Sequence, residues 1–103
     1  DLGEKPQRIL HGRHKLESVD VVKVSHHGSA DQFVGLYQTL RARGGLVGVG
    51  ADNTYGHPTT RALDILRTSG TTVFRSDLHG MVALGRNPEG KLVVWSAKSA
   101  MPR

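Results

Sequence analysis

No cysteine occurs among the 103 residues. Disulfides and thiolate metal sites are therefore excluded, and any metal must be held by histidine and carboxylate. The redox compartment stays open, because an exported domain can do without disulfides. No apolar run approaches the roughly 20 residues that a membrane span needs. The opening Asp1-Leu2-Gly3-Glu4-Lys5 has no signal-peptide anatomy and no initiator methionine, so a piece of a longer protein is expected. Polybasic tails, internal repeats, low-complexity tracts and linkers are missing too. Residues 1–51 carry 7 Lys and Arg against 5 Asp and Glu, and residues 52–103 carry 7 against 4. The formal charge of +5 suits an anionic substrate such as nucleic acid but does not require one. The length allows one domain, and a hydrophobic content of 37% is enough for a packed core.

What is present centres on Val21-Val22-Lys23-Val24-Ser25-His26-His27-Gly28-Ser29. A short run rich in β-branched residues ends in two adjacent histidines, a glycine and a serine. Such runs form buried strands, and the loop beyond a strand's C-terminal end is where α/β folds place their chemistry. Imidazole is the commonest metal ligand near neutral pH, and glycine permits the sharp turn that aims ring nitrogens into a cleft.

In chain order, residues 4–12 read as a short helix with acidic residues at its start and Gly12 at its C-cap. A polar link, Arg13 to Ser18, leads to a strand from Val19 to Ser25, buried on both faces. Asp31 is expected to cap a helix reaching about Arg43, with Phe33, Leu36, Tyr37 and Leu40 on one buried face. Gly44-Gly45 should stop it. A second buried strand, Leu46 to Gly50, leads into a polar loop at 51–57. Pro58 starts a third helix that ends at Gly70. Three strands follow, Thr71–Arg75, Met81–Arg86 and Leu92–Ser96, separated by turn-forming residues at 77–80 and 87–90. The alternation implies an α/β fold with parallel neighbours and an antiparallel C-terminal extension. The loops at 26–31 and 51–57 should open on one rim.

Four blocks carry a resemblance. They are Asp1-Leu2-Gly3-Glu4, the stretch from Val19 to Ser29, the stretch from Val49 to Pro58, and Arg75-Ser76-Asp77-Leu78-His79-Gly80. In this order and with comparable gaps they resemble the metallo-β-lactamase-fold domain of the ComEC family of competence DNA-internalisation proteins. His-His-Gly-Ser alone is shared with other hydrolases of that fold, and its combination with Asn-Thr-Tyr-Gly-His-Pro is more specific.

The resemblance implies a single partial domain, residues 1–103, forming the C-terminal half of an αββα metallo-β-lactamase fold. Its partner would be the N-terminal half of the same domain, which supplies a His-x-His-x-Asp-His-type loop that this sequence does not contain. Two divalent metal ions, usually zinc, would sit between the halves. Asp1 matches the bridging aspartate, and the last ligand is expected to be His27, with His26 as the alternative. His57 would contact a substrate phosphate or act as leaving-group acid. Ser29, Asn53 and Tyr55 are candidate substrate-binding residues, with loop-fixing roles as the plainer reading of each. The substrate would be DNA, cleaved outside the cytoplasm by a domain of a membrane-anchored parent. This chain alone would bind metal weakly or not at all and be inactive. Two alternatives stand beside this reading: another hydrolase of the fold acting on small phosphodiesters or phosphocholine esters, and a metal-free module that binds DNA or a partner. An apolar sheet face lacking its other half is expected to make the chain self-associate.

Overall fold

Three short strands set the centre of the molecule: β1 (Val21–Lys23), β2 (Gly44–Val47) and β3 (Thr72–Arg75) form a parallel sheet in the order β1-β2-β3. The computed structural model describes residues 2–53 and 55–98. Helices α1 (Glu4–Arg13), α2 (Val34–Leu40) and α3 (Thr60–Thr68) connect or flank these strands. A one-turn helix, α4 (Ser76–His79), then leads into an antiparallel ribbon of β4 (Val82–Arg86) and β5 (Leu92–Ser96).

The pleat explains the layering. Val22, Gly45 and Val73 stand in register on one face of the sheet. On that side Val24, Val47, Val49 and Val73 join Leu36 and Tyr37 of α2 and Ile65 and Leu66 of α3 in one core. Each such aliphatic side chain contributes about 1.5–3 kcal/mol on burial. The opposite row, Lys23, Leu46 and Phe74, is more open. It borders a cleft shared with Met81 and Val82 of the ribbon side.

Several expected boundaries move, each for a local reason. Helix α2 is shorter than the expected span to Arg43, because Arg41 enters the left-handed region at φ 41° and ends it. Asp31 does not cap α2. Its carboxylate instead accepts the Glu4 amide at 3.0 Å, at the start of α1. The fit is close: a Cβ on Gly3 would lie 2.0 Å from an Asp31 carboxylate oxygen, so any larger residue there would have to displace that carboxylate. Gly44 and Gly45 do not stop a helix; they begin β2. A methyl on Gly45 would come within 2.9 Å of the Thr71 side chain, so the tight parallel packing needs its bare backbone. β1 is less buried than expected, with Val21 and Val22 half-buried and Val19 40% exposed. Gly12 lies inside α1, whose C-cap is His14.

The C-terminal extension also differs from expectation. β3 belongs to the parallel sheet, and residues 76–79 form a helical turn in place of a hairpin. Only β4 and β5 pair antiparallel, across a turn in which the Asn87 side chain accepts the Glu89 and Lys91 amides at 3.1 and 2.8 Å. The observed class is therefore mixed α/β, with one parallel sheet and one separate antiparallel ribbon. Among the described residues no helix is long and apolar enough to cross a membrane.

Candidate functional site

β1 gives way at once to a turn at Ser25–Gly28 in which His26 and His27 both have φ 53° and Gly28 has φ 77°. Three successive left-handed residues are unusual, and each non-glycine one costs about 1–2 kcal/mol. The turn persists because its surroundings hold it at both ends. The Gln32 carboxamide donates to the Ser25 and Ser29 carbonyls at 2.9 and 3.1 Å, on either side of the histidines. The Gly28 carbonyl accepts the Thr59 amide at 2.8 Å and the Thr59 hydroxyl at 3.1 Å. A Cβ on Gly28 would press to 2.6 Å from that of Pro58. The turn is thus locked against the start of α3.

This arrangement presents both imidazoles to solvent. The His27 Nδ1 lies 2.7 Å from the Gly48 carbonyl oxygen. A carbonyl only accepts, so Nδ1 is the donor, and the tautomer that this bond selects has its lone pair on Nε2. Metal-ligating histidines are oriented in this way, with one ring nitrogen held by a backbone carbonyl and the other free. The donor geometry at His27 therefore fits a metal. The His26 ring instead meets the His57 ring edge-on, with centroids 5.9 Å apart.

The second loop comes from the end of β2. Val49 is fixed by Ser76, whose hydroxyl accepts the Val49 amide at 2.7 Å and donates to the Val49 carbonyl at 2.8 Å. Asn53 holds the loop together: its side chain donates to the His57 carbonyl at 2.6 Å and accepts the Tyr55 amide at 2.9 Å. Tyr55 is 84% exposed, and its ring stacks on His57 at 6.3 Å with an angle of 29° between planes. His27, Asp52, Asn53, Tyr55 and His57 line one cleft of about 480 Å³ together with Val49, Gly50 and Ala51. The two loops do share a rim, as the strand order predicts.

The sequence-predicted residues distribute as follows. His27, Asn53, Tyr55 and His57 meet in the cleft, and His26 reaches its edge through His57. Ser29 is turned inward at 7% exposure, and its hydroxyl accepts the Asp31 amide at 3.3 Å. Asp1 lies outside the described residues. Its covalent neighbour Leu2, however, is fastened beside the histidine turn: the Leu2 carbonyl accepts the Ser25 hydroxyl and, at 2.7 Å, the Gln7 side chain. Among the described residues no three His, Asp or Glu side chains gather into one metal-binding group.

Sequence reasoning did not single out Asp52, Gln7 or Gln32, and it took Tyr37 only for a core residue. Asp52 was legible as a carboxylate in a loop at a strand end. Gln7 and Gln32 carried no signal, since a glutamine in a helix or loop ordinarily faces solvent. Tyr37 donates to the Gln32 carbonyl oxygen at 2.6 Å, and burial pushes its hydroxyl above the ordinary tyrosine pKa, so it stays a neutral donor. Asp77, read as a turn residue, is held below the usual carboxylate pKa by hydrogen bonds from Arg75 at 3.0 and 2.7 Å. His79, expected in the same turn, is 1% exposed and packs edge-on to Phe74 at 5.6 Å.

Comparison with known proteins adds one relative. The chain is 33% identical over 67 residues to ComE operon protein 3 of Bacillus subtilis (strain 168). The match takes in 61% of this chain and 8% of that protein, so the chain spans about a twelfth of the relative's length. No family model matches the chain. No solved structure matches it. The likeness is to a competence-operon protein.

Proposed function

We propose that this chain is the C-terminal half of a metallo-β-lactamase-like hydrolase domain that cleaves phosphodiesters, with DNA as substrate, in a protein of DNA uptake. The observation that carries the proposal is His27: a ring proton committed to the Gly48 carbonyl and a free Nε2 on a strained turn at a strand's C-terminal end. Strain of this kind is kept where the side chains it displays have work to do. The match to ComE operon protein 3 supports the link to competence.

In this reading His27 Nε2 and the Asp1 carboxylate hold metal, with His26 as the alternative imidazole. The remaining donors come from the N-terminal half of the domain. A pair of zinc ions, when bound, supplies Lewis-acid polarisation of a phosphoryl oxygen. The chain's own residues do the rest. His57, between His26 and Tyr55 on the rim, is positioned to give a proton to the departing oxygen. Asn53 keeps His57 in place through the His57 carbonyl. Tyr55 offers an open ring face on which a base can stack. Asp52 and Ser29 bound the same region, Ser29 by shaping the turn. The parent would be membrane-anchored with this domain outside the cytoplasm.

The test is hydrolysis by the protein at its full encoded length, supplied with zinc. Single-stranded DNA and bis(p-nitrophenyl) phosphate serve as competing substrates. Zinc-dependent cleavage of DNA that disappears in His27→Ala is the expected result. Turnover of the small diester alone would reassign the domain to a small-molecule phosphodiesterase. DNA binding with neither zinc dependence nor cleavage would overturn the hydrolase reading in favour of a binding module.

A further inference from the structure

Behind the histidine turn lies a polar cluster that the proposed chemistry does not use. Gln7 and Gln32 are each 1% exposed and Tyr37 is 3% exposed. Every hydrogen-bonding position of the two carboxamides that matters is filled. The Gln7 amide donates to the Leu2 carbonyl at 2.7 Å and to the Gln32 oxygen at 2.8 Å. Its own oxygen accepts the Phe33 amide at 2.8 Å. The Gln32 oxygen takes the Tyr37 hydroxyl as well, and its two N–H groups grip the carbonyls of Ser25 and Ser29.

From this geometry we infer that Gln32, steadied by Gln7 and Tyr37, is the positioning node of the metal site. One buried carboxamide holds both ends of the left-handed turn. Through Gln7 it also holds Leu2, the residue next to Asp1. The two ligand-bearing segments of this chain, distant in sequence, are thereby referenced to one rigid point. A buried polar network that is fully satisfied specifies a unique arrangement, which an apolar plug of the same volume would not. The inference rests on the metal-site reading above. Gln32, Gln7 and Tyr37 touch neither metal nor substrate, and their effect runs through the backbone of the His27 turn and the fastened Leu2 carbonyl.

The experiment compares the unaltered 103-residue chain with Tyr37→Phe and Gln32→Met, at a temperature where circular dichroism shows all three folded. Two quantities are read: zinc affinity by competition with a chromophoric chelator, and the His27 ring tautomer by long-range proton–nitrogen NMR. The expected result is a zinc affinity lowered about 10-fold in Tyr37→Phe and up to about 100-fold in Gln32→Met, the range of outer-layer substitutions at metal sites. His27 should lose its single Nδ1–H tautomer in Gln32→Met. If Gln32→Met does not fold, Tyr37→Phe, which removes one hydroxyl from an intact ring, decides alone. Variants that melt earlier yet keep the tautomer and the affinity would overturn the inference and leave the cluster structural. If the unaltered half-domain holds too little zinc to measure, the tautomer comparison decides: an Nδ1–H tautomer kept by His27 in both variants would overturn the inference, whereas the hydrolysis test above bears on the metal reading itself.

Discussion

The rim and the ribbon solve the same problem differently. At the rim, two loops and the N-terminal segment are held by side chains reaching across the sequence: Gln7 to Gln32, Thr59 to Gly28, Ser76 to Val49. At the β4–β5 ribbon, the ladder and the Asn87 turn are local, and Trp95, Val93 and Met81 stay 57%, 45% and 72% exposed. The sharp geometry is thus concentrated where polar groups converge. The ribbon spends its apolar residues on a surface with no cover. Strain and satisfied polar burial mark a place where position matters, and an open aliphatic face marks one where contact matters.

The largest expected effect breaks the rim. Gln32→Met strips partners from Gln7, Tyr37, Ser25 and Ser29, and should cost about 3–5 kcal/mol in urea denaturation. Gly28→Ala attacks the same place by backbone strain and by collision with Pro58. A loss of about 2–3 kcal/mol is expected, read as a lower denaturation midpoint with unchanged slope. On the other side of the comparison, Trp95→Ala should change stability by about 1 kcal/mol or less. The expected self-association of the chain should weaken in that variant, as sedimentation velocity can show. An unaltered chain that stays monomeric at high concentration would mean that the ribbon does not join two copies of this chain.

Between the two regions, Asp77 gives a smaller and pH-dependent effect. Its folded pKa lies below the ordinary 3.8 because Arg75 binds the carboxylate. The pair therefore stabilises the fold above about pH 4, and that contribution is lost as pH falls through the lowered pKa. Asp77→Asn should be less stable at neutral pH and show a flatter acid limb in melting temperature. The smallest effect has the opposite sign. His26→Gly relieves a left-handed residue and should stabilise by about 0.5–1 kcal/mol, after the added chain entropy of glycine is subtracted.

Much of this was legible beforehand because apolar periodicity and turn residues are local signals. Helices α1 and α3, the Asn87 turn and the shared rim of the two loops follow in outline from short stretches, although α3 begins at Thr60, capped by Thr59, and not at Pro58, and β1 ends at Lys23 and not at Ser25. What escaped was set by partners far along the chain. Asp31 looked like a cap for its own helix, yet the Glu4 amide, 27 residues away, claims it. Gly44-Gly45 looked like a helix stop, yet both pair with β1 on one side and β3 on the other as strand residues. The glutamine cluster was invisible because no periodicity distinguishes a buried amide from a solvated one. His27 was preferred to His26 on family resemblance alone, and the backbone carbonyl of Gly48 that holds its ring could not be read from the sequence, because it lies 21 residues away.

Thr59 fastens the carbonyl of Gly28 with both its amide and its hydroxyl, so helix α3 and the imidazole turn travel as one body. A clamshell motion of the two lips against each other would have to break that double tether. Parting the turn from α3 therefore takes the loss of both bonds at once, and the wall of the cleft that carries His27 is as stiff as the helix behind it.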